Sequence, residues 1–160
     1  MRRAKFSTVF IYAALAVLLP ALACPAASEV KRLRGQTVYV PAYSHIYHGD
    51  RKAPFYLTVT LSVRNTDPTH PITLLSVQYF DTDGKFVRNF QQGEQVLRPL
   101  GAAEYILRES EKEGGAGAKF IVKWKSDAPV TEPVIEAVMI GTTLQQGISF
   151  TSRGRAIEEH

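Results

Sequence analysis

Two histidines that lie close together in the sequence could bind a transition metal. His45 and His48 fall in the segment 43–50, which ends in Asp50. Imidazole suits zinc and copper, but zinc takes three or four protein ligands, so a distant group such as His70 would have to complete the site. Residues three apart point to opposite sides of a strand, so the pair can share a metal only in a turn or helix. A copper- or zinc-handling site and an ordinary pair, one histidine packed and one exposed, are therefore both open.

Tyrosines interleave with these histidines and indicate a contact surface. The segment 39–56 is crowded with aromatic residues, and we take Tyr43, His45, Tyr47 and His48 as its candidate binding residues. Aromatic side chains with polar tips are favoured where a surface must be both apolar and hydrogen-bonding, as at protein interfaces. The alternative is that several of them complete the core or cover its edge. We expect a non-enzymatic binding or assembly role for this segment.

Three other motifs that could bind a ligand or catalyse a reaction are incomplete. Residues 81–84 begin like a calcium loop but lack the third acidic position and the closing Glu, and a hairpin turn explains them. Residues 114–117 are glycine-rich, but no Lys-Ser or Lys-Thr follows as in a phosphate loop, so we expect a mobile, solvated loop. Residues 147–151 lack the second glycine of a nucleophile elbow. The sequence therefore predicts neither an enzyme nor a bound cofactor.

The first residues have the order of a secretory signal. Arg2, Arg3 and Lys5 precede an apolar run over residues 6–19, which is followed by Pro20 and small residues. This charged, apolar, small-residue order predicts a signal peptide over residues 1–23. We therefore expect an exported protein, in the periplasm or anchored to a membrane, and a protein of the cell envelope as its partner.

The one cysteine of the chain follows this leader directly. Cys24 comes after Ala-Leu-Ala, which is similar to the lipidation box of bacterial lipoproteins except that leucine is displaced by one place. Ala-x-Ala is also the pattern that the ordinary signal peptidase cleaves after. Lipidation of Cys24 and a freely soluble product both remain open, so any membrane contact is expected only through the leader or a lipid anchor.

Charge argues against a nucleic-acid partner. The net charge of +4 comes mostly from the three basic residues of the leader, so the remaining chain is nearly neutral. Its basic residues are interspersed with acids except at residues 31–34, a cluster too short for a nucleic-acid surface. We assign residues 24–35 to a tether between leader and domain.

Apolar residues alternate at the spacing of strands throughout the rest of the chain. Residues 55–64 alternate strictly, and residues 72–80 follow as a second strand whose phase slips at Leu74 and Leu75, as a bulge would cause. Residues 134–140 are apolar on both faces and should lie centrally, while Tyr39 and Val40 suggest an early edge strand. We predict an all-β fold over residues 36–155, an antiparallel Ig-like β-sandwich of about seven or eight strands, with residues 156–160 as a C-terminal tail.

Four segments of this chain resemble one bacterial family of exported proteins. They read YVPAYSHIYHG at residues 39–49, SVRNTDP at 62–68, AVMIGT at 137–142 and QGISFTSRGR at 146–155. The family is known as domain of unknown function thirty-one twenty-four. The resemblance covers nearly the whole chain after the leader and implies an exported or lipoprotein-like domain. It carries no catalytic or binding residues over to this chain.

Overall fold

Within the residues that the structure describes, the alternating stretches of the sequence fold into twelve strands. The computed structural model describes residues 30–142 and 147–160, so the leader and Cys24 lie outside the described residues. Residues Lys31–His160 form one unit. The strands are β1 (Arg32–Pro41), β2 (His45–His48), β3 (Ala53–Tyr56), β4 (Thr58–Arg64), β5 (Ile72–Phe80), β6 (Phe86–Asn89), β7 (Gln95–Leu97), β8 (Ala102–Leu107), β9 (Lys119–Thr131), β10 (Val134–Gly141), β11 (Ile148–Arg153) and β12 (Arg155–Glu159).

These strands form three antiparallel sheets. The largest has the order β12-β1-β9-β5-β6, with β7 also beside β5. The second has the order β11-β10-β4-β8, and among the described strands β2 pairs only with β3. The all-β antiparallel prediction is confirmed, with more strands than the seven or eight expected because short hairpins add several. Val134–Gly141 lies between two neighbours, as its apolar faces predict.

The two larger sheets bury their apolar faces against each other. Strand β4 turns Val59, Leu61 and Val63 inward, and β9 turns Phe120 and Trp124 inward, all with no exposed surface. Side chains of both sheets belong to one hydrophobic cluster. A single core between two sheets is the arrangement of a β-sandwich.

Strand β5 contains the bulge that the sequence predicts, and the turn after it is the predicted hairpin turn. The pairing of β5 with β9 shifts register between Leu74 and Ser76, which confirms the predicted bulge. Residues 81–84 form the predicted hairpin turn, in which the Gly84 N–H donates to the Asp81 carbonyl at 3.1 Å. Gly84 has a φ of 82°, which glycine adopts without strain.

The first strand differs from the prediction of an early edge strand. Strand β1 begins at Arg32 and lies inside the large sheet, between β9 and β12. Residues 32–35, expected in the tether, therefore belong to the sheet, and residues 156–159, expected in the tail, belong to β12. Lys31 forms an ion pair with Glu159, so the first residue of the basic cluster contacts an acidic residue of the last strand rather than solvent alone. That ion pair raises the pKa of Lys31.

The glycine-rich segment 114–117, expected to be a mobile, solvated loop, is partly buried and hydrogen-bonded to Thr82. The Thr82 hydroxyl donates to the Gly114 carbonyl at 3.0 Å and accepts from the Gly117 N–H at 3.0 Å. Gly114 is buried, and a Cβ there would lie 1.8 Å from the Tyr79 hydroxyl oxygen. The glycines thus allow a close approach to β5.

The buried carboxylate of Asp67 contacts three parts of the fold that are distant in sequence. Asp67 has no exposed surface and accepts hydrogen bonds from the backbone N–H groups of Thr69 and His70, both at 2.9 Å. It also accepts from the Thr131 N–H at 3.1 Å, and Arg32 lies 4.0 Å away. These donors, the Thr69 N–H first, hold the pKa of Asp67 well below its usual range. The loop after β4 is thereby joined to β9 and β1.

Candidate functional site

The candidate binding residues lie on the separate two-stranded sheet. Strands β2 and β3 pair with His45 opposite Tyr56 and Tyr47 opposite Pro54. The turn between them has Gly49 at a φ of 65°, and the Lys52 N–H donates to the Gly49 carbonyl at 3.2 Å. Positive φ at the turn suits a tight antiparallel hairpin.

The pairing sorts the side chains of this hairpin onto two faces. Successive residues of a strand point to opposite faces, so Ile46 shares a face with its partner Phe55. Phe55 is buried, and Ile46 packs against the hydrophobic core. The opposite face, which consists of His45, Tyr47, Pro54 and Tyr56, therefore points away from the core. We call these four residues the aromatic face.

Rings on the aromatic face contact each other edge to face. The centroids of His45 and Tyr47 are 5.0 Å apart, and those of His45 and Tyr56 are 5.8 Å apart. Lys112 places its ammonium 4.2 Å from the centroid of the Tyr56 ring, a cation–π contact. Tyr47 is 57% exposed. The face thus offers aromatic surface, ring nitrogens, phenol hydroxyls and one positive charge to a partner.

Buried contacts hold the hairpin against the sandwich. The Leu57 N–H, directly after β3, donates to the Ser44 carbonyl at 3.0 Å, which closes the hairpin at its base. The Ser44 hydroxyl is buried and donates to the Gly115 carbonyl at 3.0 Å. Gly141 gives Phe55 room, because a Cβ on it would lie 2.3 Å from the Phe55 ring. Hydrogen bonds and close packing therefore fix the hairpin that carries the aromatic face on the sandwich.

The structure separates the four candidate binding residues. His45 and Tyr47 lie on the aromatic face, whereas Tyr43 packs against Phe150 at 5.7 Å between centroids and lines the core. His48 lies on the other face of β2, with its ring 6.2 Å from that of Phe55. The two histidines occupy a strand, the geometry in which residues three apart diverge. The described residues contain no group of three or more His, Cys, Asp or Glu that could hold a metal ion.

Tyr56 of the aromatic face and Lys112 beside it are absent from the candidate residues taken from the sequence. Tyr56 continues the alternation of residues 55–64, so its outward position could have been found from that pattern. Lys112 comes from a charged segment far along the chain, and no local pattern marks its contact with Tyr56. Such contacts depend on the tertiary fold.

The fold and this surface define a class: an all-β sandwich domain that carries a separate aromatic hairpin. The chain belongs to the family described as Protein of unknown function (DUF3124), whose match covers residues 35–157. This confirms the family resemblance found in the sequence. No curated protein matches the chain.

One solved structure is similar to this chain. It is the crystal structure of Thermotoga maritima 1070, with 16% sequence identity and a TM-score of 0.46. The likeness covers 80% of this chain and 97% of that chain.

Within residues 30–142 and 147–160, no helix has the length and apolarity needed to cross a membrane.

Proposed function

We propose that this protein is a non-enzymatic binding or assembly module of the cell envelope, and that the aromatic face contacts its partner. The observation that carries the proposal is the exposure of Tyr47 beside His45 and Tyr56 on a hairpin that belongs to neither large sheet. The leader-like residues 1–23 support the envelope location, either periplasmic or membrane-anchored.

Physical chemistry favours a protein partner at this face. Tyrosine buries much area while losing few rotatable bonds, and aromatic anchors of this kind often supply most of the binding free energy of an interface. Solvent already contacts Tyr47 over more than half of its surface, so a partner gains by covering it. Lys112 adds a cation beside the rings, which favours a partner surface carrying acidic or carbonyl groups.

Cross-linking in cells tests the proposal. The full chain is expressed with a photoreactive amino acid in place of Tyr47, and a matched variant carries it in place of Phe86, an exposed aromatic residue of β6 in the large sheet. We expect one reproducible envelope protein to be captured from position 47 and not from position 86. Capture of the same proteins from both positions, or of none from position 47, would refute the proposed face.

A substitution then tests whether the face contributes to affinity. With the captured partner purified, Tyr47→Ala should weaken binding by about tenfold or more, as expected for a central aromatic anchor. Ile157→Ala, at a residue 55% exposed on β12, is the matched control and should leave affinity unchanged. Equal affinity of both variants would exclude Tyr47 as an anchor.

A further inference from the structure

The outer face of the four-stranded sheet exposes apolar side chains. In β4 and β10, alternate side chains fill the core, so the side chains between them lie on the opposite, outer face. Three large apolar residues of this outer face, Ile106, Val134 and Ile140, are 56%, 41% and 48% exposed. Thr58 and Thr60 of β4 lie beside Ile140 and Ile106. This part of the face therefore consists of uncharged side chains, whose burial costs less than that of charged groups.

The outer face of the large sheet is different, because lysines run along its centre. Strand β9 is central in that sheet and turns Phe120 and Trp124 inward. The residues between them lie outward and include Lys119, Lys123 and Lys125. Covering these ammonium groups would remove their water, which is unfavourable unless each gains a partner. Strand β10, central in the four-stranded sheet, reads VIEAVMIG and contains no lysine, so its outer face can be covered at lower cost.

The strand register arranges the outer face of the four-stranded sheet in rows that cross all four strands. One row consists of Thr151, Val138, Thr60 and Ile106, and the next row consists of Arg153, Glu136, Ser62 and Glu104. The second row has a base at one end and an acid at the other. Within the described residues, neither Arg153 nor Glu104 takes part in an ion pair. This row is therefore complementary in charge to the same row in reversed order.

We propose that two copies of this chain pack through these outer faces, about a two-fold axis that runs along the strands between β10 and β4. Such an axis reverses the order of the strands and places each row opposite the same row of the copy. Arg153 then lies opposite Glu104 of the copy at both flanks of the interface. Glu136 lies opposite Ser62 of the copy, whose hydroxyl accepts a hydrogen bond from the Arg64 Nε at 3.0 Å, so this acid also approaches a base.

The same axis makes the two chains run in the same direction. The Leu57 N–H donates to the Ser44 carbonyl, so the aromatic hairpin adjoins the start of β4. Arg32 lies 4.0 Å from Asp67, beyond the end of β4, so β1 begins at the opposite end of the sandwich. Both copies therefore begin β1 at one end of the dimer. Attachment of two chains to one membrane through their N-terminal residues requires this arrangement, whereas an axis across the strands would place the two starts of β1 at opposite ends.

Cross-linking between cysteines in cells tests the axis. Thr151 lies opposite Ile106 of the copy, at the separation of about 10 Å that packed sheets have. The full chain with both Thr151→Cys and Ile106→Cys should therefore form a covalent dimer with a bifunctional thiol reagent of that reach. Either substitution alone should not exceed the unsubstituted chain, which retains Cys24, because the two copies of residue 151, or of residue 106, would be roughly 17 Å apart. Lys123→Cys with Lys125→Cys, on the outer face of the large sheet, is the matched control and should give no additional dimer.

Charge reversal provides the second arm, read through the same cross-link. In the chain with paired cysteines, Glu104→Arg alone or Arg153→Glu alone places like charges opposite each other at both flanks and should lower the cross-linked fraction about tenfold. Both reversals together restore opposite charges and should restore the dimer. No dimer from the paired cysteines, equal cross-linking from one of the single cysteines, or a double reversal no better than the single ones would overturn the proposal.

Discussion

The glycine at the end of β10 determines how closely the aromatic hairpin packs on the sandwich. A Cβ at Gly141 would lie 2.3 Å from the Phe55 ring, 2.9 Å from Leu57 Cδ2 and 2.9 Å from the Tyr56 carbonyl oxygen. Non-bonded carbons prefer separations of about 3.5–4.0 Å. Gly141→Ala therefore forces Phe55 or the backbone of β3 to move, and the backbone oxygen cannot be relieved by a change of rotamer.

The expected cost is that of overpacking a filled core. Inserting a methyl group into such a site typically destabilises a protein by about 1–3 kcal/mol. With a urea dependence of about 1–3 kcal/mol per molar, the midpoint of unfolding should fall by roughly 1 M. The one tryptophan of the chain, Trp124, has no exposed surface, so its fluorescence reports the transition.

A second glycine supplies the matched control. Gly147, just before β11, has no atom within 4 Å of the position that a Cβ would take. Gly147→Ala should leave the free energy of unfolding within about 0.5 kcal/mol of that of the parent. If Gly141→Ala and Gly147→Ala unfold at the same urea concentration, the close approach of β3 to Gly141 does not constrain the hairpin.

Three further perturbations test other parts of the fold. The depressed pKa of Asp67 means that its carboxylate stabilises the folded state above a pH of about 4 and that this contribution is lost as the pH falls further. Asp67→Asn should lower the melting temperature at pH 7 and make its decline between pH 4 and 2 less steep, and an unchanged slope would contradict this. The Tyr79 hydroxyl is buried with no hydrogen-bond partner among the described residues, and burial raises its pKa to about 12. Tyr79→Phe should therefore leave the urea midpoint unchanged or raise it, while a loss above about 1 kcal/mol would reveal a partner for the hydroxyl. Thr82→Val removes the hydroxyl that bonds Gly114 and Gly117 and should cost about 1–3 kcal/mol in the same assay, whereas a neutral result would show that the loop needs no such support.

Local patterns were sufficient to predict most of the strands. The alternation of residues 55–64 predicts the inward side of β4, because the same parity holds from Phe55 through Val63. The bulge at Leu74 and the turn at residues 81–84 were also predicted, since both depend on neighbouring residues. What the pattern could not show is the break at Leu57, where the chain leaves β3 and joins a different sheet.

Features that depend on distant parts of the chain were missed. Strand β1 was expected at an edge because nothing in its own sequence indicates that β12 will pair with it. The residues of β12 are mostly exposed and charged, which is the composition of a tail rather than of a strand.

Only part of the candidate site was predicted from the sequence, because the rest of it depends on contacts with distant parts of the chain. Clustering in sequence found His45 and Tyr47, which lie on the aromatic face, but it also included Tyr43, which packs beside Phe150. Whether an aromatic residue is exposed depends on the strand pairing around it.

The position of β1 has a consequence for the order of folding. Its neighbours in the large sheet, β9 and β12, both come from the later part of the chain. A ribosome must therefore release β9 before β1 gains its first partner in that sheet, and β12 before it gains the second. Until then the early strands have no completed sheet to join, and the closure of such distant pairs slows folding. In the sheet that contains β1, a nascent chain therefore has only the pairs of β5 with β6 and β7 until β9 is released.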